Sequence, residues 1–97
     1  MNDKIELVLS ELRKGFPGQV INYQFDLSVH KFRFENSGFT HWLYISSEFI
    51  EDNEKVLILN ILTGIYHIVD AFKEAKSSKR LLLTNDGVEE VKEGFIK

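Results

Sequence analysis

Residues 52–76 read DNEKVLILNILTGIYHIVDAFKEAK, and this stretch decides the fold because it predicts one long helix with a surplus of apolar surface. Placed at steps of about 100°, its large apolar residues cover an arc of roughly 200°. They are Leu57, Ile58, Leu59, Ile61, Leu62, Ile65, Tyr66, Ile68, Val69 and Phe72. A helix that lies on one sheet needs about half of that arc. The surplus at Leu57, Leu59 and Tyr66 therefore predicts a second layer, supplied by the chain's own terminal helices, a second copy or another protein.

The length and composition indicate one compact domain that spans residues 1–97. The 97 residues are 43% hydrophobic and 28% charged, which is typical of a chain that folds around its own core. The chain has no Cys, so disulfides and thiolate chemistry are excluded. Because polar Asn2–Lys4 directly follow Met1, without the regions of a signal peptide, we expect a cytoplasmic protein. The longest apolar run, Val56–Leu59, is far too short to cross a membrane.

The charges are nearly balanced. There are 12 basic and 15 acidic residues, giving a net charge of −3, and the two signs are interspersed along the chain. A protein that binds duplex nucleic acid usually carries a basic excess or a basic stripe, so this balance disfavours that class. A mimic of DNA would need acidic runs, which this sequence lacks.

The first part of the chain predicts a helix followed by a strand. Apolar residues of Asp3–Lys14 fall on one helical face, and Gly15 follows as a stop. In Gln19–Leu27 apolar and polar residues alternate, which predicts a half-buried strand. The alternation then changes phase near residues 26–28. Either a tight turn or a β-bulge there would absorb the extra residue.

The segment 35–46 predicts a turn followed by the returning strand of a β-hairpin. A two-residue loop puts Trp42 opposite Arg33 on one face of this hairpin. The same loop puts Tyr44 opposite Lys31 on that face and leaves the other face apolar. A three-residue loop would instead group the two aromatic residues with the phenylalanines of the preceding strand. We favour the two-residue loop because it separates apolar from polar residues more cleanly.

After the long helix, Leu81–Thr84 predicts a short interior strand, since consecutive leucines indicate burial on both faces. Asp86 and Glu89 have capping-box spacing, which predicts a short terminal helix. Its apolar stripe would be Val88, Val91 and Phe95. The predicted order is α-β-β-β-α-β-α, an α+β two-layer sandwich in which one long helix packs across a mostly antiparallel sheet of about four strands. This layout recurs among small bacterial and phage accessory proteins of different roles, so it assigns no function.

The remaining polar residues form no recognisable catalytic or metal-binding pattern. In the favoured hairpin register, His30 and His41 lie too far apart to share a metal. His67 lies on the polar stripe of the long helix near two carboxylates, but a metal site needs ligands from a second element. Ser46 and Ser47 precede the helical segment, where a capping role is expected. We therefore predict a protein that is not an enzyme and that uses no metal and no cofactor.

One surface keeps a functional interpretation. Lys31, Arg33, Trp42 and Tyr44 are two cations and two aromatic residues that face each other across the hairpin. Such side chains can stack on bases or on a partner's side chains, although cross-strand pairing alone also explains them. The predicted function is a small non-enzymatic protein-interaction module of the regulator, inhibitor or adaptor type, whose partner is a second copy, forming a homodimer, or another protein. The alternative is weak binding of single-stranded nucleic acid by the hairpin face.

Overall fold

The computed structural model describes residues 2–92, which form an α+β fold with four α-helices, one π-helical turn and a five-stranded mixed sheet. The predicted α+β class is confirmed. In chain order the elements are α1 (Asp3–Gly15), β1 (Asn22–Asp26), β2 (Val29–Asn36), β3 (Phe39–Ser46), α2 (Ser47–Asp52), α3 (Lys55–Asn60), the π-helical turn (Ile61–Ile65), α4 (Ile68–Lys73), β4 (Arg80–Thr84) and β5 (Gly87–Glu90). The order differs from the predicted one within residues 52–76 and after Thr84.

Helix α1 has the predicted extent and a cap of its own. The side chain of Asn2 accepts a hydrogen bond from the Lys4 amide at 2.7 Å, which satisfies an amide that the first turn leaves without a helical partner. The buried face consists of Ile5, Val8, Leu9 and Leu12. Gly15 is still helical, and a Cβ there would lie 2.6 Å from Cγ1 of Val69 in α4. Close packing of α1 against α4 therefore favours a glycine at this position, which is the last residue of the helix.

The five strands lie in sequence order across the sheet, and β3 and β4 are parallel while the other neighbouring pairs are antiparallel. Leu27 and Ser28 join β1 to β2 with left-handed φ angles of 53° and 61°, so a tight two-residue turn causes the phase change and no bulge is needed. Ser37 and Gly38 form a second such turn, with φ of 55° and 84°. The favoured two-residue loop of the second hairpin is confirmed.

The single long helix predicted for residues 52–76 is wrong, because residues 53–54 and 66–67 are not helical. Helix α2 ends at Asp52 and residues 53–54 separate it from α3, while residues 66–67 separate the π-helical turn from α4. The breaks let each short helix turn its apolar residues toward one core, whereas a straight helix would leave much of an arc of roughly 200° outside. Most of the predicted arc is buried in this way: Ile58, Ile61, Leu62, Ile68, Val69 and Phe72.

Hydrogen bonds are present at both breaks. The side-chain amide of Asn53 donates to the Phe49 carbonyl at 2.8 Å and to the Asn85 side chain at 3.0 Å, which closes the end of α2. At the second break, the Tyr66 amide donates to the Ile61 carbonyl at 3.3 Å, a π-type bond. The next residue, at position 67, has a left-handed φ of 50°, a conformation that ends helices. Apolar periodicity does not report these contacts, so it could not predict the breaks within residues 52–76.

The terminal helix predicted from Asp86 is also wrong for the described residues, and the sheet has five strands instead of four. Thr84 and Gly87 flank a two-residue loop, and the strand that follows pairs antiparallel with β4. Gly87 has a φ of 126°, which glycine adopts without strain, and the Thr84 hydroxyl accepts a hydrogen bond from the Asp86 amide at 3.1 Å. These contacts favour a hairpin turn between Thr84 and Gly87 over the start of a helix. Phe95, the last residue of the predicted apolar stripe, lies outside the described residues.

The core lies between the helices and one face of the sheet, which we call the inner face. The inner-face residues that join the core are Phe32, Phe34, Leu43, Ile45, Leu81 and Leu83. They form one apolar cluster with buried residues from all four helices. The opposite face, which we call the outer face, contributes nothing to this cluster and has no helix packed on it within residues 2–92. Among the same residues, no helix has the length and apolar character that crossing a membrane requires.

Candidate binding surface on the outer face of the sheet

The four residues predicted for binding all lie on the outer face. Because successive residues of a strand point to opposite faces, Lys31 and Arg33 on β2 alternate with core residues. Trp42 and Tyr44 on β3 alternate with core residues in the same way. The structure adds Arg80, the first residue of β4 and the parallel register partner of Trp42. We call these five residues the cation–aromatic cluster.

Trp42 is the centre of this cluster and lies between two guanidinium groups. Arg33 from β2 and Arg80 from β4 are its cross-strand neighbours. Their guanidinium carbons lie over the indole at 5.7 Å and 6.0 Å from the ring centroid. The Tyr44 ring stacks beside the indole, with centroids 6.0 Å apart and 14° between the ring planes. Cation–π contacts of this kind favour these guanidinium positions by about 0.5–1 kcal/mol each, and Arg80 is also hydrogen-bonded to the Tyr44 side chain. A guanidinium group has five N–H donors, so both groups keep donors for an anion.

Lys31 and Tyr44 form the buried part of the cluster. They oppose each other across β2 and β3, and both are buried although they lie on the outer face. The Lys31 ammonium lies 3.5 Å from a carboxylate oxygen of Asp26. Burial raises the pKa of Tyr44, and the nearby Arg80 guanidinium acts in the opposite direction with a smaller effect. The Tyr44 hydroxyl is therefore protonated at neutral pH.

A shallow groove lies beside the cluster, above β1 and β2. Its volume is about 300 Å³, and its lining consists of Asn22, Tyr23, Gln24, Lys31, Arg33 and Trp42. The amide side chains of Asn22 and Gln24 are exposed there and add neutral hydrogen-bond donors to the cationic ones. A flat strand surface with these donors suits an extended segment that carries carboxylates or phosphates.

Sequence reasoning identified four residues of the cluster and missed Arg80. The alternation along β4 puts Arg80 on the same face as Leu82, and this signal is present in the sequence. The strand order was the missing information, because β4 reaches its place beside β3 only through the α2–α4 segment. A basic residue next to Trp42 on that side could not be inferred without it.

The residues predicted for self-association lie in the helical segment, away from the cluster. Leu57 and Tyr66 are 40% and 41% exposed, and Leu59 is half-buried. Leu57 lines a groove at the start of α3 together with Val56. The Tyr66 hydroxyl lies near the β4–β5 turn, 3.5 Å from where a Cβ on Gly87 would be. Self-association through these residues stays a prediction.

His30 and His67 have unrelated environments. The Tyr23 hydroxyl and Nδ1 of His30 share a hydrogen bond of 2.7 Å. Burial lowers the pKa of His30, with a smaller opposing effect from Glu51, and burial raises the pKa of Tyr23. His67 is exposed and lies 3.6 Å from the Asp70 carboxylate. Within residues 2–92, no three or more His, Asp or Glu side chains come together in a group able to hold a metal ion.

His41 is fully buried on the inner face and is the polar exception in the core. Its Nδ1 accepts a hydrogen bond from the Lys79 amide at 3.1 Å, so the neutral ring carries its proton on Nε2. That Nε2 has no hydrogen-bond partner among the described residues, and the imidazole packs against Phe72 with centroids 5.3 Å apart. Burial, together with the Lys79 charge, lowers the pKa of His41. The neutral ring of His41 therefore accepts a hydrogen bond from the residue that directly precedes β4.

Comparison of this chain with known proteins finds no matching family model, no matching curated protein and no matching solved structure.

Proposed function

We propose that this protein is a small non-enzymatic interaction module that binds an acidic segment of another protein on the outer face of its sheet. The observation that supports this function is the placement of Arg33 and Arg80 on either side of Trp42. Two planar guanidinium groups with several donors each can take carboxylates in bidentate fashion, which ammonium groups cannot do. Both arginines lie on the same face of the sheet, so one acidic segment that crosses the strands can contact both.

The rigidity of the two arginines favours binding. A free Arg side chain loses much rotational freedom when a partner immobilises it, and this loss opposes association. Here the indole of Trp42 already restrains both guanidinium groups, so less freedom remains to be lost. The neighbouring amides of Asn22 and Gln24 can donate to the partner's backbone or side chains.

Single-stranded nucleic acid is the second candidate, and the addition of Arg80 to the predicted cations favours it. Binding of single strands depends on bases that stack on open aromatic faces. In this cluster the guanidinium groups lie over the Trp42 ring, and Tyr44 is buried. The net charge of −3 also weakens attraction of a long polyanion. We therefore place an acidic protein segment first.

The test follows the fluorescence of Trp42, the only tryptophan in the chain, during titration with a glutamate-rich peptide and separately with oligothymidine. We expect the peptide to change the emission, and we expect Arg33→Ala or Arg80→Ala to weaken its binding about threefold to tenfold each. Arg13→Ala is the matched control, because it removes the same charge from an exposed position in the last turn of α1.

Three results decide between the candidates. Loss of affinity in both cluster variants, with Arg13→Ala unchanged, supports the proposed function. Tighter binding of oligothymidine than of the peptide at about 0.15 M salt would transfer the function to single-stranded nucleic acid. If neither ligand changes the emission, or if Arg13→Ala is as damaging as the cluster variants, the outer face is not the binding surface.

A further inference from the structure

Strand β1 is an open edge of the sheet. Among residues 2–92 it is the first strand in the order and pairs with β2 alone. In a two-residue hairpin the residues that flank the turn exchange hydrogen bonds, so Asp26 is bonded to β2, and Gln24 and Asn22 follow in alternation. The N–H and C=O groups of Tyr23 and Phe25 therefore point away from β2, outward in the plane of the sheet. No other backbone hydrogen bond within residues 2–92 reaches these two residues.

This edge lacks the features that usually keep sheet edges from pairing. Natural edge strands are commonly protected by Lys, by Pro, by a bulge or by extreme shortness. The sequence of β1 is NYQFD, with neither Lys nor Pro, and its register with β2 is regular over five residues. Its one charged residue, Asp26, is the last of the strand and lies 3.5 Å from the Lys31 ammonium. The opposite edge, β5, has four residues and ends in Glu89 and Glu90, so charge protects it.

Three of the seven large apolar side chains that are exposed among residues 2–92 lie at this edge, and the other four lie between Val56 and Tyr66. Phe25 on β1 is 54% exposed, and Val20 and Leu27 on either side of the strand are 74% and 70% exposed. Phe25 lies on the inner face, where its ring contacts His30 and the helical layer leaves its other side uncovered. An occupant of this edge would therefore gain both backbone hydrogen bonds and contact with an aromatic ring.

We propose that the occupant is a second copy of this chain, whose β1 pairs antiparallel with the first around a two-fold axis at Gln24. In this register Tyr23 of one protomer opposes Phe25 of its partner, and the outward groups of these residues form four hydrogen bonds. The aromatic side chains meet on the inner face, where the exposed side of each Phe25 is covered. Asp26 opposes Asn22, so no like charges face each other.

The charges of β1 are compatible with antiparallel pairing to a second β1, and this compatibility favours a second copy over an unrelated peptide. A strand that carried one charge at its centre would repel its copy, but Gln24 is neutral and can donate to and accept from its counterpart. Antiparallel edge pairing keeps the inner faces of both protomers on one side. The two outer faces then form one continuous surface. This interface shares Asn22 and Gln24 with the groove beside the cation–aromatic cluster, but it needs no ligand on Arg33, Trp42 or Arg80 and can hold or fail without one.

The absence of Cys from the chain allows a direct test of the register. In Gln24→Cys, the two introduced thiols would face each other in a non-hydrogen-bonded pair with Cα atoms about 4.5 Å apart, a distance that a disulfide spans. In the matched control Asn22→Cys, on the same face of the same strand, the thiols of the two protomers would lie about 13 Å apart. We expect disulfide-linked dimers to form at least about tenfold faster in Gln24→Cys in a glutathione redox buffer.

Sedimentation equilibrium from about 1 μM to about 1 mM measures the association of the unmodified chain and of two further variants. Phe25→Lys places a charge at the edge and should raise the dissociation constant of the dimer at least about tenfold. Circular dichroism checks that this variant remains folded. Leu57→Glu alters the other candidate apolar surface and should leave the constant unchanged. Loss of the dimer in Leu57→Glu but not in Phe25→Lys would overturn the proposal and point to α3.

Two other results would also overturn the proposal. Equal rates of cross-linking in Gln24→Cys and Asn22→Cys would show random collision and no defined register. A strict monomer up to about 1 mM would exclude a second copy and leave the edge for an extended segment of another protein.

Discussion

The packing of α1 against α4 makes Gly15→Ala the sharpest probe of the structure. A Cβ at position 15 would lie 2.6 Å from Cγ1 of Val69, whereas carbon atoms pack best at about 3.5–4.0 Å. Val69 is buried, and its branched side chain prefers one rotamer in a helix, so turning it away from the new methyl group costs energy. Either this rotamer changes or the helices move apart.

Two opposing effects set the magnitude. Replacing a helical Gly by Ala gains at most about 1 kcal/mol from backbone preference, and less at the last helical residue. Overpacking of a well-filled contact costs about 1–3 kcal/mol. We expect Gly15→Ala to lower the free energy of unfolding by about 1–2 kcal/mol. In a chain of this size that loss lowers the melting temperature by about 4–16 °C.

The assay is urea unfolding followed by circular dichroism, with a matched control and a double-mutant cycle. Gly64→Ala makes the same chemical change where nothing lies within 4 Å of the new Cβ, and it should leave stability unchanged or raise it by up to about 1 kcal/mol. Val69→Ala removes the clashing methyl groups. In the double variant the cost of Gly15→Ala should largely disappear, a coupling of about 1–2 kcal/mol.

Additive effects of Gly15→Ala and Val69→Ala would refute the reasoning, because they would show that the two positions do not touch. The same holds if Gly15→Ala stabilises the protein as Gly64→Ala does. Gly15 would then be only a helix stop, as the sequence pattern alone indicates.

Further substitutions and a pH series check other parts of the structure. Because burial lowers the pKa of His41, the unfolded chain binds its proton first, and the free energy of unfolding should fall as pH drops below 6.5, by at most about 1.4 kcal/mol per pH unit from this group. In His41→Asn that slope, measured by urea unfolding at several pH values, should become shallower. Ile65→Ala should cost less than about 1 kcal/mol because Ile65 is 58% exposed, whereas Leu62→Ala, at a fully buried position, should cost about 2–5 kcal/mol; equal losses would contradict the observed break in the helix. Replacing the turn residues together, Leu27→Asn with Ser28→Gly, should raise the melting temperature, since both positions have left-handed φ, and a decrease would show that the turn is of another type.

The parts of the fold that depend on neighbours in sequence were predictable. The face of α1, the strands β2 and β3 and their two-residue loop follow from alternation and turn chemistry over a few residues. The break after α2 was not predicted, and one of the contacts at this break is a hydrogen bond between Asn53 and Asn85, which are far apart in sequence. The β5 strand was missed because Asp86 and Glu89 imitate a helix cap, while the deciding factor is the pairing of Gly87 beside β4.

The same distinction between local and distant contacts applies to the residues of the candidate site. Lys31, Arg33, Trp42 and Tyr44 could be assigned to one face because a two-residue hairpin fixes their positions relative to each other. Arg80 could not, because its place depends on a parallel neighbour reached only through the helical segment. The burial of Tyr44 was likewise hidden, since strand alternation predicts the face of a side chain but not what surrounds it.

The parallel contact between β3 and β4 has a consequence for how the chain folds. Strands β1 to β3 are joined by two-residue turns and can pair within microseconds, but β4 reaches β3 only after residues 47–79 have closed a long loop. The entropy lost in that closure is recovered only when Leu81 and Leu83 meet Leu43 and Ile45, so this step should limit the folding rate. During synthesis, β3 therefore keeps an open edge until the ribosome has released residues beyond Thr84.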